Sequence, residues 1–352
     1  MSWLYNILVI SGHPGYYKVY VLLGHVNEEL VQLKADTQES RKAAFAPGTR
    51  KNLITQWMSF LLFCLHFELE FLPAEEETIA LYAQFLSRSF KTVSSIQNYL
   101  SGVKLLHLYA GVKLPNMKDF SIKLVLDGIR RRKPHCVKQA LPITPSILLH
   151  LYQHITLCGN GVTVWALFLI AFFLFLRKSN LVPNTTKSFD PKKQLTRADF
   201  VLGDQVLLCK IRWSKTIQYG QRVLVLPLFA LPGSPLCPVT AYKHMIAEFP
   251  TVEGHDPAFQ VRNGKKVIPL TYFKFHYYLR KLLQEAGYRS ELFSSHSFRR
   301  GGATFAFQSL VPDQLIKLQG DWQSDAYQRY LDFSLVDRST VFLQMAAHLP
   351  SM

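Results

Sequence analysis

The chain has little of several things, and each scarcity excludes a class of protein. Its five cysteines (Cys64, Cys136, Cys158, Cys209, Cys237) include no Cys-x-x-Cys pair and no regular spacing. That excludes a disulfide framework and predicts free thiols in a reducing compartment. His150, His154 and Cys158 do recur at i, i+4, i+8, a metal-like spacing. Without a further ligand pair they read as a partly buried helix stripe, so no metal is expected. The run Val162 to Leu176 is almost wholly apolar, but its 15 residues fall short of the roughly 20 that a bilayer requires. It predicts a buried central helix, and no membrane association is expected. Trp3 to Ile10 is apolar but lacks a basic leader and a small-residue cleavage site, which argues against a signal peptide. Acidic residues are scarce too: 24 against 40 basic ones, for a net charge of +16.

What is present describes an ordered globular chain, with 49% apolar and 18% charged residues. Its 352 residues suit two domains, each with its own core. Residues 1–135 carry 16 basic and 11 acidic side chains (+5), and residues 136–352 carry 24 and 13 (+11). The excess cation density lies in the second part. Such a field attracts polyanions, DNA foremost, with an acidic membrane surface or plain solubility as the alternatives.

Gly12, His13, Pro14 and Gly15 break any long element near the start, so residues 1–44 read as an extension. From Pro47 the pattern is helical. Arg50 to Phe67 places Leu53, Ile54, Trp57, Phe60, Leu61 and Cys64 on one face. Further helices are predicted over Glu75–Ser89, Thr92–Tyr109 and Lys118–Arg132. Arg130, Arg131, Arg132 and Lys133 then precede Pro134. Four adjacent cations form a solvated surface run, a phosphate contact or a nuclear import signal.

The second part opens at Leu141–Pro145, with Thr144 capping a helix begun by Pro145. The buried helix is expected to deliver Arg177 at its C-terminal end, where the dipole favours a cation. Gln205–Arg212 and Arg222–Leu228 predict a β-hairpin around a polar turn, Ser214–Gly220, that carries Lys215. Pro235–Phe249 and Tyr272–Gly287 read as helices and Phe259–Val261 as a short strand. Gly254–Pro257 and Arg262–Pro269 read as loops, and Val336–Ala347 as a final apolar helix.

The densest signal runs from Ser294 to Tyr330. His296 and Arg299, three apart, fall on one helix face. Ser294 or Ser295 could cap that helix, whose first amides attract anions. Gly301 and Gly302 would each cost roughly 1 kcal/mol in a helix interior, so close packing is the expected reason for them. Gly320, Asp321 and Trp322 form a turn, and Tyr330 follows nine residues after Asp321. Each element alone has an ordinary structural explanation; the ordered series suggests a phosphate site.

The series resembles the C-terminal signature of the tyrosine recombinases, the phage-integrase family. The Phe173–Leu181 stretch resembles the segment carrying that family's first catalytic Arg. Four short helices over residues 45–135 resemble its core-binding domain, and residues 136–352 its catalytic domain. The expected fold is therefore mainly α with a small β component: a helical core-binding domain, then a mixed α/β catalytic domain. The resemblance implies that Tyr330 is the nucleophile and that Arg177 and Arg299 clamp the phosphate. Lys215 would protonate the leaving oxygen, and His296 would bind the phosphate or take the tyrosine proton. No metal, nucleotide or other cofactor is implied. The partner is double-stranded DNA, engaged by a homotetramer, with Arg130, Arg131, Arg132 and Lys133 as further DNA contacts. Two departures stand out. Asn180 replaces a usual acid, and Asp321 occupies the usual His or Trp position, a role Trp322 could fill with its indole N–H. The Gly320–Trp322 and Arg329–Leu331 region is similar to recombinases of eukaryotic mobile elements of the DIRS-like or Crypton-like type, which implies a nuclear protein. Two rivals are a DNA-binding protein that keeps the fold without cutting and a type IB topoisomerase.

Overall fold

The computed structural model describes residues 26–135, 139–251, 254–331 and Ser339. They form two compact units that divide between Val137 and Lys138. No helix among the described residues is long and apolar enough to cross a membrane.

The first unit is all helical. Helix α1 (Val26–Ala43) begins with Glu28 and Glu29 and ends with Arg41 and Lys42, an arrangement that suits the helix dipole. The described side chains of α1 are exposed, and it falls within the stretch expected to lack a long element. Helices α2 (Pro47–His66), α3 (Glu76–Leu86), α4 (Val93–Ala110) and α5 (Phe120–Arg132) enclose a core that includes Phe60, Phe63, Tyr82, Ile96 and Ile122. On α2, Leu53, Phe60 and Cys64 are buried as expected, and Trp57 and Leu61 are half-buried. Ile54 is exposed, and Phe63 takes its share of the core. Thr92 caps α4 by accepting from the Ser95 amide, and Asp119 caps α5 by accepting from the Ser121 amide. His107 is a fully buried structural histidine. Its Nε2 accepts from the Ala74 amide and its Nδ1 donates to the Val103 carbonyl, both at 2.9 Å.

The second unit is built around one buried helix. After α6 (Pro145–His154), capped by Thr144 as expected, comes α7 (Asn160–Phe173), whose residues from Val162 to Phe172 are all buried. α6 stops at His154, so Cys158 lies beyond it and the three-residue stripe expected there does not form. His150 instead pairs with the Tyr288 hydroxyl at 2.5 Å. A short helix α8 (Lys178–Leu181) leads to an antiparallel sheet of β1 (Phe200–Leu202), β2 (Val206–Ile211) and β3 (Leu224–Phe229). β2 and β3 are in register from Val206–Phe229 to Ile211–Leu224, which leaves residues 212–223 as the loop that carries Lys215.

Helix α9 (Pro238–Glu248) packs on α7. Then β4 (Gln260–Asn263) and β5 (Lys266–Pro269) pair through a two-residue turn with Gly264 at φ +61°. A loop was expected over Arg262–Pro269; the Gly264–Lys265 turn, with glycine in its first position, makes it a hairpin instead. Helices α10 (Tyr272–Glu285), α11 (His296–Gln308) and α12 (Asp313–Gln319) follow, and a 3-10 turn over Asp325–Tyr330 closes the described core. The apolar helix expected over Val336–Ala347 lies outside the described residues, Ser339 apart.

Close packing accounts for the paired glycines of α11. A Cβ on Gly301 would stand 1.8 Å from the Ile143 carbonyl oxygen, and one on Gly302 would stand 2.1 Å from that of Phe172. These contacts seat α11 against the end of α7, and so bring Arg299 to the segment that carries Arg177.

Candidate active site

Arg299 organises the site. Its side chain is 1% exposed, in the interior of a helix whose neighbours at Phe298 and Gly302 are pressed into the core. One guanidinium nitrogen donates to the Phe175 carbonyl, and Nη2 donates to the Gly320 carbonyl at 2.7 Å. The Trp322 ring covers the guanidinium at 3.8 Å, and the Tyr330 ring centroid lies 5.4 Å away. Nε has no hydrogen-bond partner, and the residue makes no ion pair among the described residues. A buried cation held only by neutral carbonyls and rings carries a large desolvation cost. Burial and the adjacent Arg177 charge accordingly press its pKa down, opposed by Tyr330 and Asp321. A guanidinium nonetheless stays protonated in a protein, so the pocket is built for an anion.

Arg177 is not where the sequence suggested. α7 ends at Phe173, and Phe175 turns the chain with φ +48°, so Arg177 sits four residues on, immediately before α8. The dipole at the end of α7 therefore does not explain a cation here. Arg177 and Arg299 both border a narrow crevice that Asn180, Ser214, Gly320 and Asp321 also line.

His296 opens α11. The Ser294 hydroxyl accepts from the His296 amide at 3.2 Å, whereas Ser295 makes no side-chain cap. His296 is exposed at the surface, yet desolvation by the surrounding protein, then the charges of Lys178, Arg299 and Arg177, hold the imidazole pKa below its ordinary value. The ring is neutral at physiological pH and can accept a proton. His276 on α10 is shifted the same way, by burial and then by Arg280 and Lys178.

The two tyrosines of the closing turn differ. Tyr327 is buried, and its hydroxyl donates to Asp313 Oδ2 at 2.9 Å. Tyr330 is partly exposed, stacks obliquely on Trp322 at 5.3 Å, and keeps its ring within 5.4 Å of the Arg299 guanidinium.

Asp321 lines the same crevice as the two arginines, but the Lys215 loop takes up its carboxylate. It adopts a left-handed backbone, φ +53°, and its carboxylate faces the Lys215 loop. There it accepts from Ser214 Oγ at 2.7 Å, from the Thr216 hydroxyl and from Arg222. Burial pushes its pKa up, but the Thr216 and Ser214 hydrogen bonds and the Arg222 charge outweigh that, and the net shift is downward. Asn180 is buried and donates to the Trp213 carbonyl at 2.6 Å, bracing the same loop from the other side. Lys215 itself is exposed at the tip of the tight turn from Ser214 to Ile217.

The structure thus brings Arg177, His296, Arg299, Trp322 and Tyr330 together and sets the Lys215 loop beside them. The Arg130–Lys133 run belongs to the first unit. Arg130 pairs with Asp127 at 2.5 Å, Arg132 donates to Gln84 at 3.0 Å, and Lys133 donates to the Ser87 carbonyl at 2.5 Å. Sequence reasoning missed the bracing roles of Arg222, Ser214 and Thr216, whose only signal was their nearness to Lys215.

No family model matches the chain. A curated relative, an "Integrase/recombinase xerD homolog" of Selenomonas ruminantium, is 25% identical over 314 residues, covering 87% of each chain. The fold is similar to that of the Tn1549 transposon integrase in complex with transposon right-end DNA. That likeness has a TM-score of 0.57 at 12% identity and covers 89% of this chain and 98% of the other. It is also similar to a lambda integrase dimer bound to a core site, with a TM-score of 0.53 at 15% identity, over 86% and 94% of the two chains. The chain thus shares the fold of these integrases and resembles the curated xerD homolog over most of its length.

Proposed function

We propose that the chain is a site-specific recombinase or integrase that cuts and rejoins double-stranded DNA through a 3′-phosphotyrosyl intermediate. The observation that carries this reading is Arg299: a buried guanidinium without an ion pair among the described residues, with Arg177 and His296 nearby and the Tyr330 ring beside it. A phosphodiester is the anion this arrangement suits. The curated xerD-type relative and the integrase fold support the same reading.

In the proposed reaction the Tyr330 oxygen forms a bond to phosphorus as the bond from phosphorus to the 5′-oxygen breaks. The tyrosine proton passes to neutral His296 or to solvent, and Lys215 gives a proton to the departing oxygen. Arg177 and Arg299 neutralise the nonbridging oxygens, where a planar two-pronged donor is most effective. Trp322 covers Arg299 and fixes its plane. The bond energy is kept in the phosphotyrosyl link, so religation needs no nucleotide, and two arginines do the charge neutralisation a metal would otherwise supply.

The finer assignments follow from this reading. Residues 45–135 act as the core-binding domain and residues 136–352 as the catalytic one. In the Arg130–Lys133 run, Arg131 is proposed as the principal DNA contact, because the other three have partners within their own unit. Four copies assemble on paired sites through Val336–Ala347, whose truncation should spare single-site binding and abolish pairing. A eukaryotic mobile-element origin, of the DIRS-like or Crypton-like type, and a nuclear location are proposed from the Gly320–Leu331 resemblance and the basic run; imaging a tagged chain tests the location.

The test is covalent trapping. Duplexes bound by the chain are selected from a randomised pool, nicked beside the cleavage point and incubated with excess chelator and no ATP. A protein–DNA adduct should accumulate. Tight binding with no adduct would favour a DNA-binding protein that keeps the fold without cutting.

A further inference from the structure

Asp321 stands where the resemblance expects a phosphate-contacting His or Trp, yet its carboxylate is hydrogen-bonded to Ser214, Thr216 and Arg222 and not to either proposed phosphate-clamping arginine. The carboxylate is buried, and its oxygens are met by the loop between β2 and β3. Ser214 and Thr216 flank Lys215 directly, and both hydroxyls donate to Oδ2. Arg222, on the returning arm of the loop, donates to Oδ1. One carboxylate thus ties together both arms of a segment that lies outside the β2–β3 ladder. The preceding residue is held as well, because the Gly320 carbonyl accepts from Arg299 at 2.7 Å. A two-residue turn therefore connects the phosphate-facing guanidinium to the loop bearing the proposed acid. Aspartate tolerates the left-handed backbone found here, φ +53°, better than most side chains.

We infer that Asp321 is a positioning residue that fixes the Lys215 loop against the phosphate site, so that the proton donor is preset before DNA arrives. The inference rests on the recombinase reading. Its consequence is selective: loss of the tether impairs proton delivery to the 5′-oxygen and leaves the arginine clamp in place.

A substrate with sulfur in the bridging 5′ position separates these effects, because a thiolate departs without being protonated. Single-turnover cleavage of oxygen and sulfur substrates is compared for the full chain, Asp321→Asn, Lys215→Ala and Arg299→Lys. Asn keeps the size and the backbone tolerance of Asp but removes the charge that holds Arg222. Asp321→Asn should cleave the oxygen substrate roughly 10- to 100-fold more slowly, within the usual contribution of general acid catalysis. It should approach the unaltered chain on sulfur, as Lys215→Ala should. Arg299→Lys should stay slow on both. The double variant Ser214→Ala with Thr216→Val keeps the Asp321–Arg222 pair and should show the same sulfur rescue, which decides the matter if Asp321→Asn folds poorly. Equal losses on the two substrates, or no loss on either, would overturn the inference. Absence of adduct from the unaltered chain on both substrates would instead overturn the recombinase reading, and the inference with it.

Discussion

At the scale of single residues, the site gathers cations whose mutual repulsion a bound phosphate would relieve under the proposed reading. His296 reports on this most directly. Its pKa is lowered by desolvation and by Lys178, Arg299 and Arg177, so in the DNA-free protein its ring should titrate below the ordinary value of about 6.5. An NMR titration, with the signal identified by its loss in His296→Gln, checks this; titration at or above the ordinary value would contradict it. The sign for stability follows. The native ring resists protonation more than the unfolded one does, so its contribution is complete above about pH 6.5 and is lost as pH falls through the lower native value. His296, Arg299 and Tyr330 were legible because helical spacing and a nine-residue interval are local properties. The orientation of Asp321 was not, because it is set by Ser214, Thr216 and Arg222, about a hundred residues earlier in the chain. The distinction between Tyr327 and Tyr330 gains a physical basis only in the fold, where Asp313 takes up the Tyr327 hydroxyl.

At the scale of elements, α11 positions the site through contacts that exclude a side chain. Gly302→Ala improves helix propensity by roughly 1 kcal/mol. It would also drive a methyl to 2.1 Å from the Phe172 carbonyl and closer than 3 Å to the Phe175 ring. Overpacking of this kind typically costs about 1–3 kcal/mol, and a backbone atom cannot step aside as a rotamer can. The net effect should be a lower unfolding midpoint and a larger loss in cleavage than in binding, since Arg299 moves with the helix. An unchanged midpoint in thermal unfolding would show that α11 is not seated as described. The amphipathic helices of the first unit and the hairpin around Lys215 were readable from periodicity. Two features escaped it. The β4–β5 hairpin hid behind a Gly-Lys turn in a polar stretch, and α1 has no buried stripe to reveal it, only charges matched to its ends. The end of α7 was misplaced because the apolar run continues through Leu174, Phe175 and Leu176, which are buried but lie beyond the helix.

At the scale of the whole molecule, a net charge of +16 with the larger share in residues 136–352 makes binding to DNA a problem in counterion release. The association constant should fall by about a thousandfold between roughly 50 and 200 mM salt if about six phosphates are contacted. A flat response in a salt titration would contradict a backbone-gripping mode. The architecture was legible as two parts because the apolar patterns of the two cores are separated by the basic run and Pro134. The central claim, however, is chemical: one tyrosine oxygen becomes bonded to a 3′-phosphate. Mapping the trapped adduct by proteolysis and mass spectrometry tests it most directly. The account predicts that the nucleotide is carried on the peptide containing Tyr330. Tyr330→Phe should abolish the adduct with DNA affinity nearly unchanged, and Tyr327→Phe should still form it. A phosphotyrosyl bond on Tyr327, or an adduct that survives Tyr330→Phe, would contradict it.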